Sequence, residues 1–285
     1  MNNIKVNGIN GWQKVLLFII PFILTLFASN TISYLLVNFV FNIKSDNVQL
    51  SIIKLFDALF ISFLLLFFVK FFDKSTLFSL GFSIKNRVKD IFLGIFLGFF
   101  VMIGSYYFLL YCNEIKTLET TIIYNEIIIA FFKFLFVAYL EEIVFRGYIL
   151  NQLMTSFSKF WALVWSSLLF ALIHGLNPNM DWFSFSSLFL AGIFLGITYI
   201  YTKNLWFAIA LHFSWNFFQS LIGFNVSGHD FYSIINFEVI SPNRLNGGNF
   251  GLEGSYISTI IEILFIFLVV LYYSKYKKHD LQYKL

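Results

Sequence analysis

Eight apolar runs, each close to or above the ~20 residues a helix needs to cross a bilayer's hydrocarbon core, leave this chain few ways to fold. They fall near residues 15–41, 50–72, 90–112, 122–154, 158–176, 184–202, 204–222 and 255–273. Inside lipid a segment must satisfy its own backbone hydrogen bonds, which admits only helices or closed barrels. These runs are about twice the length of a barrel strand, so helices are expected. Composition agrees: 59% of residues are hydrophobic and 12% charged, whereas a soluble domain is about a quarter charged. The expected fold is all-α, a polytopic membrane protein of about eight transmembrane helices bundled around an intramembrane cavity. The first run, from near Lys14 to about Phe41, is too long for a signal-peptide core and no small-residue cleavage site follows it. It is read as a retained span.

The runs group into four parts: residues 1–121 with three spans, 122–222 with four, an extramembrane loop at 223–254, and the last span with a basic tail at 255–285. Gly, Asn and Ser mark the loop as irregular. The single cysteine, Cys112, excludes an internal disulfide and a cysteine-based metal cluster. The formal charge of +4 is no nucleic-acid signature, because the basic residues sit in loops and tails where they set orientation. Alternating the sides from the N-terminus puts thirteen lysines and arginines on one face, from Lys5 and Lys14 through Lys74, Arg87 and Lys203 to Lys284. The other face holds only Lys44, Lys54, Lys116 and Arg244. Basic residues collect on the cytoplasmic face, so both termini are expected there, in a multi-pass protein of the plasma membrane.

Charged side chains at membrane depth cost ~2.5–3.5 kcal/mol each on insertion scales and face a bundle interior or a wet cavity. Three clusters incur that cost. The fourth run holds Glu141, Glu142 and Arg146. Glu142 and Arg146 are one turn apart and pair on one face, while Glu141 points roughly 100° away and stays available. A lone Glu–Arg pair is as readily structural, but the second carboxylate is surplus to it. The fifth run ends in "FALIHG", with His174 one turn after Phe170. The seventh holds "LHFSWN", with His212 and Asn216 on one face. Either motif alone suits helix–helix hydrogen bonding. Together they suit hydrolysis: a carboxylate and an imidazole hold and deprotonate a water, and a second imidazole and an amide donate to the oxyanion. No G-x-S-x-G and no H-E-x-x-H occurs, which removes a serine-hydrolase elbow and an ordinary zincin.

Glu141-Glu142-xxx-Arg146, Phe170-xxx-His174 and His212-xxx-Asn216, in that order, resemble the three-motif signature of the CPBP family, the CAAX protease and bacteriocin-processing (Abi) intramembrane endopeptidases. The CAAX prenyl proteases of eukaryotes are relatives. Gly147, Gly175 and "NLWFAIALH" at 204–212 match the flanking texture, and the likeness covers roughly residues 125–222. It implies that 122–222 is a catalytic core whose cavity opens to the cytosolic side. Glu141 and His174 would activate water, His212 and Asn216 would form the oxyanion site, and Glu142 and Arg146 would support them. The family has been described both as metalloproteases and as glutamic proteases. Glu141, His174 and His212 make an adequate set for zinc, but no outer carboxylate for either histidine is evident, so metal-free chemistry is favoured and zinc stays open.

The expected function is therefore an intramembrane endopeptidase acting on a membrane-associated peptide, of the prenylated, bacteriocin or signal-peptide kind. The partners are the bilayer and a peptide or membrane-protein substrate, with no nucleic acid. The alternative is a non-proteolytic bacteriocin self-immunity or scaffold protein that keeps the fold. One tension is internal to this reading. His174 falls near the non-cytoplasmic end of its span, so a cytosolic site requires that span to continue to about residue 180 past Pro178, or the orientation to be reversed.

Overall fold

A computed structural model of the chain describes residues 8–282. Lys5 and Lys284, counted above with the basic face, lie outside the described residues. The architecture is all-α. Helix α1 (Gly11–Leu35), prolonged by a π-turn at Leu36–Val40, is followed by α2 (Asp46–Phe71) and α3 (Val88–Tyr111). Strand β1 (Ile115–Thr120) leads into α4 (Tyr124–Glu142), which continues through π-helical Ile143–Leu150 into the short α5 (Asn151–Leu153). Then come α6 (Lys159–Ile173), α7 (Trp182–Thr202) and α8 (Trp206–Ile222), strand β2 (Ile235–Val239), and α9 (Tyr256–Gln282). With α4 and α5 taken as one rod, these eight helical rods fall at the eight expected apolar runs.

Five of the rods are long and apolar enough to cross a membrane: α1 with its extension, α2, α3, α7 and α9. Their outward side chains, such as Phe27, Phe63, Phe100 and Ile260, are more than half exposed, as befits surfaces that face lipid rather than water. The other three rods, α4–α5, α6 and α8, hold every expected site residue. Helix α6 is apolar but only 15 residues long, and α8 is surrounded by protein: from Ala208 to Phe217 every residue is buried.

What seats α8 is close backbone contact. Gly94 and Gly98 of α3 form a G-x-x-x-G pair of the kind that lets membrane helices approach. A Cβ at Gly98 would run into Ser214, and one at Gly94 into the backbone at Leu211. Ser214 completes the seam by donating to the Gly94 carbonyl at 2.9 Å. His212 and Asn216 thus ride on a helix whose position is fixed by glycines 120 residues away.

The helix ends sort into two faces. On one, β1 pairs antiparallel with β2, Asn177 donates to the Ser227 carbonyl, and Arg244 pairs with Asp181 at 2.7 Å. The loop after α8 is laid across this face: Gly223, at φ +105°, stops the helix where a Cβ would strike the Ile235 carbonyl. On the other face Lys14 pairs with Asp73 at 2.6 Å, Gln152 also donates to Asp73, and Asn204 donates to the Ser83 carbonyl. Helix α1 begins and α9 ends at this second face, where Tyr273 stacks on Tyr201.

Candidate active site

Glu141 and Glu142 close the α-helical part of α4, and consecutive helical residues diverge by roughly 100°. That divergence separates their surroundings. Glu142 is fully buried. Its Oε1 accepts from Arg146 Nη1 at 2.8 Å and lies 2.8 Å from His212 Nδ1. Arg146, also buried, donates its other terminal nitrogen to the Gly192 carbonyl at 3.2 Å and lays its guanidinium 4.4 Å from the centre of the Phe170 ring. One ion pair therefore ties α4 to α6, α7 and α8. Arg146 sits in the π-helical stretch, and such widened turns recur at functional sites.

Glu141 has none of this. Its Oε2 is enclosed and has no hydrogen-bond partner among the described residues. It lies 3.7 Å from His174 Nε2 and 3.8 Å from His212 Nε2. Both gaps exceed a direct hydrogen bond. The tautomers follow from the far sides of the rings. His174 Nδ1 is 2.8 Å from the Phe170 carbonyl, which can only accept, so that proton sits on Nδ1 and Nε2 is left bare toward Glu141. His212 likewise donates from Nδ1 to Glu142. Asn216, one turn past His212, is buried and lines the same cavity. Its amide makes no hydrogen bond among the described residues.

The cavity measures about 440 Å³, room for a short peptide segment. Glu141, His174, His212 and Asn216 all line it, while Glu142 and Arg146 stand behind its wall. The exposed members of its lining are Leu50 at the start of α2, Ile173 beside His174 at the end of α6, and His229 and Asp230 in the loop after α8. Those positions belong to the loop-covered face, opposite the one where α1 begins and α9 ends. Two expectations therefore exclude each other: cytoplasmic termini, and a cavity open to the cytosol.

Helix α6 does not continue past His174 as a cytosolic site would have required. It stops at Ile173, and 174–181 is turn. Its 15 residues span only ~22 Å of rise, short of the ~30 Å hydrocarbon core, and Ile173 and Leu176 on either side of His174 are exposed. The supposed lack of an outer carboxylate is also corrected, since Glu142 serves His212 across 70 residues of sequence.

With Nδ1 of both rings engaged, Glu141, His174 and His212 turn the right donor types for zinc toward one point. Among the described residues, however, no group of three His, Cys, Asp or Glu side chains meets the geometry of a metal site.

The structure adds five charged residues to the cavity lining that sequence reasoning passed over: Asp57, Lys133, Asp230, Glu253 and Glu262. Asp57, Lys133 and Glu262 are ionisable residues inside apolar runs, which is signal enough to have flagged them. Asp230 and Glu253 lay in a loop with no such mark. Burial pushes the Glu253 carboxyl above its ordinary pKa, partly offset by the Ser227 N–H and hydroxyl that donate to it. Burial also lowers His229, followed by the nearby charges of Lys133, Lys54 and His174.

Residues 123–218 match the family described as type II CAAX prenyl endopeptidase Rce1-like. No curated protein and no solved structure matches the chain. The matched segment begins one residue before α4, ends within α8, and contains all seven residues of the three motifs. Over that third of its length this membrane protein is similar to the type II CAAX prenyl endopeptidase Rce1-like family.

Proposed function

We propose that the protein is an intramembrane endopeptidase in which Glu141 activates a water for attack on a peptide carbonyl. The observation that carries this is the enclosed, unpartnered Glu141 Oε2 set 3.7 and 3.8 Å from two imidazole nitrogens. A water between Glu141 and His174 gives its proton to Glu141 as its oxygen adds to the carbonyl carbon. The resulting oxyanion takes hydrogen bonds from the Asn216 amide and from the Nε2–H that His212 carries as an imidazolium, protonated at both ring nitrogens with Glu142 facing Nδ1. Glu141 then passes the proton to the departing amine nitrogen and the C–N bond breaks. The substrate class is a membrane-associated peptide, of the prenylated, bacteriocin or signal-peptide kind.

The test is comparative peptidomics of cells carrying the wild type or Glu141→Ala. Peptides that depend on Glu141 for maturation support the reading. Processing or bacteriocin immunity that survives intact would make the chain a non-proteolytic immunity or scaffold protein instead. The purified enzyme is expected to keep its activity after chelation, with no stoichiometric metal by elemental analysis. Activity restored only by zinc would assign Glu141, His174 and His212 as its ligands.

The uneven charges favour a cytoplasmic location for the face where α1 begins and α9 ends. The cavity then opens away from the cytoplasm, contrary to what the family likeness implies. In a Cys112→Ser background, a membrane-impermeant maleimide applied to intact cells should label Lys116→Cys on β1 and spare Lys74→Cys. The reverse pattern would restore a cytosolic cavity.

A further inference from the structure

Intramembrane carboxylates in this protein come with partners, with two exceptions that line the same cavity. Asp57 accepts from Ser29, Asn30 and Lys54, and Glu142 accepts from Arg146 and pairs with His212. Glu141 is one exception. The other is Glu262, two turns into α9. It is 3% exposed, its Oε2 is enclosed without a partner, and its carboxyl makes no hydrogen bond among the described residues. Its companions in the lining include Leu188, Ala191, Leu211 and Trp215, none of which carries a charge.

A structural role does not account for it. A carboxyl at membrane depth that holds no partner stabilises nothing in the folded chain, yet it carries the insertion cost of an ionisable group. Nor is it isolated from the reacting groups. Glu253, which reaches the cavity from the turn before α9, interacts electrostatically with Glu262 and with both His174 and His212. Glu253 is itself held by the Ser227 N–H and hydroxyl, so one carboxyl of the pair is anchored and the other is free to take a ligand. The cations that line the cavity are committed elsewhere. Lys54 pairs with Asp57 at 3.1 Å, and Lys133 lies 3.5 Å above the Phe231 ring. What this wall lacks is a positive charge.

We propose that Glu262, backed by Glu253, forms an acidic subsite beside the Glu141–His174–His212 group that receives a lysine or arginine side chain of the bound peptide. The proposal rests on the peptidase reading for what the peptide undergoes, but not for its binding. A basic side chain threads an apolar stem past the aliphatic lining and delivers its charge to the carboxyls. Burial makes such a charge pair selective, because a neutral competitor leaves the carboxyls unpaired.

Binding tests this without turnover. The full chain in lipid nanodiscs is titrated with two dye-labelled apolar nonapeptides, one with a single central lysine and one with norleucine in its place. The wild type should bind the lysine peptide at least tenfold more tightly, and in Glu262→Gln the ratio should fall to within twofold. Glu262→Met serves as a second variant, and both should melt no lower than the wild type because no protein partner is lost. Equal binding by the wild type, a tenfold ratio retained in both variants, or failure of both variants to fold would overturn the subsite. If Glu141→Ala leaves peptide processing intact in cells while the lysine preference stands, the peptidase reading fails and the subsite survives as a binding site.

Discussion

Two carboxylates face the same cavity from neighbouring helices and are treated in opposite ways. Asp57 on α2 is saturated: Ser29 Oγ at 2.7 Å and Asn30 at 2.9 Å on one oxygen, Lys54 at 3.1 Å on the other. Glu141 on α4 is left without a hydrogen bond, one oxygen enclosed and two imidazoles just out of reach. Burying an unsatisfied polar atom costs about 1–3 kcal/mol, and a fold that pairs Asp57 so completely had the means to pair Glu141 as well. The difference separates a carboxylate that joins α1 to α2 from one kept open for a substrate.

The comparison breaks most visibly at Glu141. Glu141→Gln should lower turnover by about 10³-fold, within the range for general-base catalysis, while the melting temperature stays level or rises. A loss of stability with activity retained would make Glu141 another Asp57. Next, Asn216→Ala should lower kcat by about 10²-fold with little change in KM, as expected for an oxyanion donor. An effect confined to KM would move Asn216 out of the reaction and into substrate binding. The complementary variant, Asp57→Ala, should reduce stability by about 2 kcal/mol, read by thermal denaturation in detergent, with the folded fraction as active as wild type. Weakest of all should be a pH effect at the loop-covered face. Burial works against ionisation of Asp181, but the Ser184 N–H and Arg244 outweigh it and hold its pKa below the ordinary carboxylate value. Its contribution is therefore present above that ordinary value and lost as pH falls through the depressed one. Because the pair with Arg244 is exposed, the loss should be under about 1 kcal/mol, and Asp181→Asn should abolish it.

The helices were legible because lipid imposes one rule on every residue of a span, and that rule is written as hydropathy. Glu141, His174, His212 and Asn216 were legible because polar side chains stand out against such a background, and they do line one cavity. What the sequence withheld is contact between distant parts. Nothing local announces that Glu142 will meet His212, that Gly98 will admit Ser214, or that Ile115 will pair with Val239. Of the two ways to a cytosolic site, continuation of α6 to about residue 180 is the one that fails, because Gly175 and Pro178 follow Ile173 and the chain turns there. Glu262 was overlooked although an acidic residue in "STIIEILFIF" is conspicuous, because it belongs to no spaced motif.

The widened turns at Ile143–Leu150 carry a consequence for how this chain can change in length. Each π-turn takes up one residue more than an α-turn, so the stretch stores a residue that the rod does not need to reach across the membrane. Deleting one of Ile143, Val144 or Phe145 would shorten the rod by only ~1.5 Å and leave a good apolar span. Arg146 would then follow Glu142 by three positions rather than four, a spacing that still pairs them, because the widened turn closes to an α-turn. A deletion is therefore taken up here, whereas an insertion would turn Arg146 roughly 100° from Glu142.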